Sequence, residues 1–121
     1  MTTPQQMALA HEHRDTVEDV AKHGGRCKVV CKDGFTMSVI AHFAAYCTPR
    51  PGWPEALGGA SDDNYSGPFT ELEVGYPSVK PQPWVKWQRY ADNEDHPTES
   101  VYSYVPLADI QRLITKHGGY A

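Results

Sequence analysis

Residues able to do chemistry fall into a few groups along the chain, and their spacing decides which can act together. Cys27, Cys31, Cys47 and His42 offer three thiols and an imidazole in one stretch. Structural zinc sites hold paired ligands on a tight turn, as in C-x₂-C. On a strand, Cys27 and Cys31 share a face but stand about 13 Å apart, too far for one ion. No metal centre is expected, and the thiols read as small buried hydrophobes. Cys47 with a histidine can in principle form a nucleophile and base, but spacing cannot establish their proximity, and an inert buried thiol is the simpler reading. His11-Glu12-His13 carries its histidines at i and i+2. A zinc-protease helix needs i and i+4, so that motif fails.

Two further groups have more to offer. Glu71 and Glu73 alternate along a strand pattern and so share a face, where they could form an acid and base pair or simply meet solvent. Tyr46, Arg50 and Trp53 bracket a proline-rich stretch. A guanidinium flanked by aromatic rings can stack on a planar group and pair with a phosphate or carboxylate, and proline stiffening lowers the ordering cost of binding. The same rings can instead pin the loop to the domain. Trp84, Trp87 and Tyr90 divide likewise between core packing and a contact surface. No G-x-S-x-G elbow, Walker loop or dinucleotide glycine pattern occurs, so no catalytic residue and no cofactor are assigned.

The elements that must position these groups centre on residues 27–41. Asp33-Gly34 between two apolar, β-branched runs is a strong hairpin signal. A two-residue type I′ turn would set Lys32 opposite Phe35, Cys31 opposite Thr36 and Val30 opposite Met37. That register leaves apolar groups on both faces, as in an inner strand pair. Thr3-Pro4-Gln5-Gln6 is a helix start, a second lies at Asp15 with Glu18 three residues on, and Lys22-His23-Gly24-Gly25 is a helix stop. One helix or two is left open. Residues 48–54 hold three prolines and are expected to be irregular. The loop at 47–68 is long for a compact domain, which marks it as an insertion or a functional loop.

Residues 69–76 alternate as a half-buried strand, with Gly75 as a candidate bulge. For residues 84–90, aromatic and β-branched content after a proline-rich approach favours a strand, with a short helix as the alternative. Residues 101–105 read as a strand with Tyr102 and Tyr104 on one face. Pro106 then opens the clearest helix, with Leu107, Ile110, Leu113, Ile114 and His117 on one side. The expected fold is α+β: an antiparallel sheet of four to five strands built on the central hairpin, a C-terminal helix packed on one face and an N-terminal helix. Residues 1–25 form a helical extension and residues 26–121 a single domain.

Charge adds a constraint. The 121 residues carry a net charge of −4, spread unevenly. Residues 22–50 hold five basic side chains and one acid, whereas residues 61–109 hold nine acids and three basic side chains. An acidic chain argues against direct nucleic-acid binding. No apolar run reaches the length of a membrane span and no export signal is visible, so a cytoplasmic protein without membrane association is expected.

Several of these stretches together have a familiar layout: Asp33-Gly34-Phe35-Thr36-Met37-Ser38-Val39, Tyr46-Cys47-Thr48-Pro49-Arg50, Glu73-Val74-Gly75-Tyr76-Pro77-Ser78, Val101-Tyr102-Ser103-Tyr104-Val105-Pro106 and His117-Gly118-Gly119. Over residues 28–119 the chain resembles small uncharacterised proteins encoded by bacteriophages and prophages of proteobacteria. The resemblance implies a phage accessory product, a class that includes antagonists of host defence, such as anti-CRISPR inhibitors, that act by stoichiometric binding. It transfers no catalytic residues. The function expected is therefore non-enzymatic binding and inhibition of a host protein. The alternatives are a sponge for a small phosphate-containing ligand such as a nucleotide signal, a small enzyme built on the loop and His42, and a virion assembly component. The binding residues expected are Tyr46, Arg50, Trp53, Glu71, Glu73, Trp84 and Trp87, and a homodimer is compatible with these features.

Overall fold

The computed structural model describes residues 3–60 and 65–121, so part of the long loop, residues 61–64, lies outside the described residues. Two short helices come first. Helix α1 (Pro4–His11) is capped by Thr3, whose side chain accepts from the Gln6 N–H. Helix α2 (Val17–His23) is capped by Thr16, which accepts from the Asp19 N–H. The second start is thus one residue beyond Asp15, because the Thr16 hydroxyl reaches the free donors of the first turn.

Four strands form an antiparallel sheet in the order β1 (Gly25–Val30), β2 (Thr36–Ala41), β5 (Glu71–Gly75) and β6 (Val101–Pro106). Between β2 and β5 the loop carries a two-stranded parallel pair, β3 (Arg50–Pro51) with β4 (Gly59–Ala60), and one helical turn at Glu55–Leu57. The prolines at 49, 51 and 54 therefore do not exclude regular pairing in this stretch. Helices α3 (Trp84–Trp87) and α4 (Leu107–Lys116) complete the α+β fold.

The hairpin is present, but its register differs from the expected one by a residue. Val30 faces Thr36 and Val29 faces Met37. The Gly34 N–H bonds Cys31 O at 3.0 Å and the Cys31 N–H bonds Phe35 O at 2.8 Å. The loop is therefore three residues, Lys32-Asp33-Gly34, with Gly34 at φ 93°. This is a turn followed by a left-handed residue. Asp33 favours the longer loop by accepting from the Phe35 N–H at 2.9 Å and meeting His117 Nδ1 at 2.7 Å. A one-residue slip transfers side chains to the opposite face. Cys27, Val29, Cys31, Met37, Val39 and Ala41 consequently share one buried face, and β1 is an outer strand rather than an inner one.

That face meets α2 and α4. Val17, Val20 and Ala21 from α2 and Ile110, Leu113 and Ile114 from α4 join the sheet in one core. The bulge anticipated at Gly75 lies instead on β6: Leu72 pairs with Val105 and Val74 with Tyr102, which leaves an extra residue between the two on β6. Tyr104 takes φ 55° there and is exposed, while Tyr102 and Val105 are buried together. The bulge thus separates Tyr102 from Tyr104, which simple alternation had placed on one face.

Residues 84–87 form a turn of helix, not a strand. Strand propensity yields to burial here: Trp87 is 1% exposed, with ring centroids 5.7 Å from both Tyr90 and Tyr102. Helical i, i+3 spacing also brings Trp84 to Tyr102, at 6.4 Å. A strand would point residues 84 and 87 to opposite faces.

Candidate functional site

The long loop leaves β2 through a root fastened to β5 and β6. Tyr46 donates its N–H to Glu73 Oε1 at 3.0 Å and accepts from the Tyr104 N–H at 3.0 Å. Thr48 donates its N–H to Glu71 O at 3.0 Å, accepts from the Thr70 N–H at 2.8 Å, and donates its hydroxyl to Glu71 Oε1 at 2.6 Å. Both glutamates thus serve as acceptors that hold the loop. Burial pushes the Glu73 carboxyl above the ordinary range, partly offset by the Tyr46 N–H. Neither carboxylate stands free as half of an acid and base pair.

Beyond the root, Tyr46, Arg50 and Trp53 come together as their spacing suggested. The Arg50 guanidinium carbon lies 4.9 Å from the Tyr46 ring centroid and 4.7 Å from that of Trp53. Both rings are 44% exposed. The fold positions the trio through the Trp53 N–H to Arg50 O bond at 3.2 Å and through the β3–β4 pair. Gly59 is essential to this arrangement, because a side chain there would collide with Trp53 Cβ and the Arg50 carbonyl. Arg50 Nε is buried and has no partner among the described residues.

Tyr104 extends the group. Its ring meets Tyr46 edge to face at 6.1 Å and is 39% exposed. Sequence reasoning missed it because alternation treats β6 as regular, and only the bulge turns Tyr104 outward. The result is a row of Tyr104, Tyr46, Arg50 and Trp53. Chemically it offers aromatic faces for apolar or planar groups, and a guanidinium whose planar fork suits a carboxylate or phosphate.

The other named residues are dispersed. Trp87 belongs to the core, which removes its ring from any contact surface. Trp84 is partly buried, with Lys80 Nζ 4.9 Å from its ring centroid. The cysteines are buried, and burial raises the thiols of Cys27 to about 11 and Cys47 to about 12. Cys47 Sγ donates to the carbonyls of His42 and Pro49, at 3.6 and 3.5 Å. The His42 ring instead accepts the Ala44 N–H at Nδ1, 3.1 Å away, so no bond joins thiol and imidazole. Among the described residues no cluster of three or more metal-ligating side chains forms, and no helix is long and apolar enough to cross a membrane.

Compared with protein-family models, curated protein sequences and solved structures, the chain matches none of them.

Proposed function

We propose that this chain is a non-enzymatic binding protein, an accessory factor of bacteriophage origin that occupies and inhibits a host protein through the Tyr46, Arg50 and Trp53 face, extended by Tyr104. The observation that carries this reading is the guanidinium of Arg50 held between two half-exposed rings on a fastened loop. Arginine and large aromatic residues dominate binding hot spots because they combine rigid area with directional donors. The root bonds order the loop before any partner arrives, which lowers the cost of association. The partner surface that suits this row presents a carboxylate to the edge of Arg50 and apolar groups to the rings.

The unpartnered Nε of Arg50 supports a second reading, in which the loop sequesters a small phosphate-bearing ligand. One experiment separates the two. The purified chain and its Arg50→Ala and Trp53→Ala variants are used as bait in host lysate, and retained proteins and extracted small molecules are both identified. The first reading expects one protein held by the parent chain, lost by both variants, and forming a stoichiometric complex once purified. Retention of a phosphate compound alone by the parent chain, lost in both variants, supports the second reading. Equal recovery by parent and variants, or recovery of nothing at saturating bait, refutes both.

A further inference from the structure

A cavity of about 340 Å³ lies between α3 and α4, away from the loop. Lys86, Arg112 and Lys116 line it, together with Asp109; Trp87 and Leu113, each 1% exposed, lie buried behind it, and the exposed Pro83 supplies apolar wall. Three cations gather here in a chain whose net charge is −4. The one carboxylate does not cancel them. Asp109 is 5% exposed and engaged at both oxygens: Oδ1 accepts from Lys86 Nζ at 2.8 Å and Arg112 Nη1 at 2.7 Å, and Oδ2 accepts from the Tyr90 hydroxyl at 2.6 Å. It works as an internal counter-ion that fixes two cations at the mouth. Lys116 makes no ion pair among the described residues, and Arg112 keeps further N–H donors beyond the one bonded to Asp109. The cavity therefore holds an excess of two positive charges beside an apolar wall.

We propose that this cavity binds a small molecule bearing a phosphate group and an apolar or aromatic portion. A phosphate monoester carries about two negative charges at neutral pH, which matches the excess, whereas a carboxylate carries one. Arg112 and Lys116 take the phosphate oxygens, the first through its planar fork and the second as a point charge. The remainder of the ligand lies against the exposed Pro83 ring, in the usual pairing of apolar wall and few charged anchors. This site is separate from the Arg50 row and does not depend on it.

The test uses phenyl phosphate, with benzoate and phenol as ring-matched comparators of lower charge. Binding is followed through the indole N–H signal of Trp87 in ¹H–¹⁵N spectra, identified with Trp53→Phe and Trp84→Phe. The expected result is a saturable shift with phenyl phosphate, a weaker one with benzoate and none with phenol. The combined Arg112→Gln and Lys116→Gln variant, changed at exposed side chains, is expected to bind about tenfold more weakly or worse while keeping its circular dichroism. The proposal is overturned by the absence of a saturable shift up to about 10 mM, by phenol or benzoate binding as tightly as phenyl phosphate, or by unchanged affinity in the folded double variant.

Discussion

Tyr46 and Glu73 are joined by one hydrogen bond, 3.0 Å from the backbone N–H of the first to Oε1 of the second. Because burial already favours the neutral form of this carboxyl, an uncharged acceptor can replace it. Glu73→Gln is expected to stay within about 0.5 kcal/mol of the parent chain. Glu73→Ala, which leaves the N–H without its acceptor, is expected to lose about 1 kcal/mol. Urea unfolding of the pair measures the difference, and equal losses would show that charge, not acceptance, matters at this position.

Arg50→Lys tests the stack itself. Lysine keeps the charge but lacks the planar group that lies between Tyr46 and Trp53. Affinity for the captured partner is expected to fall by about 2 kcal/mol, close to thirtyfold, with Trp53→Ala costing as much. Both side chains are partly exposed, so folding stability should change by less than about 1 kcal/mol. Calorimetric titration and thermal melts together check this, and a large stability loss with unaltered affinity would reassign the trio to loop anchoring.

Gly59→Ala makes the complementary change from outside the trio. The new methyl group would meet Trp53 Cβ and the Arg50 carbonyl, so the β3–β4 pair must open and the stack disperse. The four-stranded sheet does not involve Gly59. Partner binding is expected to drop as far as in Trp53→Ala while amide exchange of β1, β2, β5 and β6 is preserved. Retained binding in this variant would remove the parallel pair from the account of the site.

His42 sets an acid limit. Its Nδ1 accepts from Ala44, which requires the neutral ring with its proton on Nε2, and burial, with Arg26 and His11 nearby, lowers its pKa to about 4. Below about pH 6.5 the unfolded chain gains a proton that the folded chain refuses, so stability falls with acidification until the folded pKa near 4. The loss across that window is about 3 kcal/mol. His42→Asn supplies another acceptor for Ala44 without a titrating ring, and its stability between pH 6.5 and 4 should be flatter by that amount. Denaturant midpoints at four or five pH values measure the slope, and parallel slopes would locate the acid sensitivity elsewhere.

How far the molecule was legible from its residues depended on whether the deciding force was local. Thr3, the Pro106–Gly118 stretch and the Asp33-Gly34 turn act within a few positions, and helices and hairpin stand where those signals put them. The hairpin's register rests on Asp33 accepting from the Phe35 N–H and also meeting His117 across the domain, and no two-residue turn rule contains that second contact. Trp87 was settled by burial against Tyr102, which overrode the strand preference of its neighbours. The Arg50 trio was legible because its members lie close in sequence. Tyr104 was hidden by a bulge, whereas the cations of α4 left a usable trace: Asp109, Arg112 and Lys116 fall at i, i+3 and i+7, on one side of the helix.

The sheet's outer strands are also fenced. Along β1, Arg26 exchanges hydrogen bonds with Glu12 and Arg14, and Val30 O accepts from Ala121. Along β6, Val101, Ser103 and Tyr104 bond to Asp92, Tyr90 and Tyr46. Much of each margin is therefore occupied by the chain's own segments, which disfavours edge-to-edge pairing with a second molecule there. The same fencing favours contacts made through side chains over strand pairing for whatever this scaffold meets.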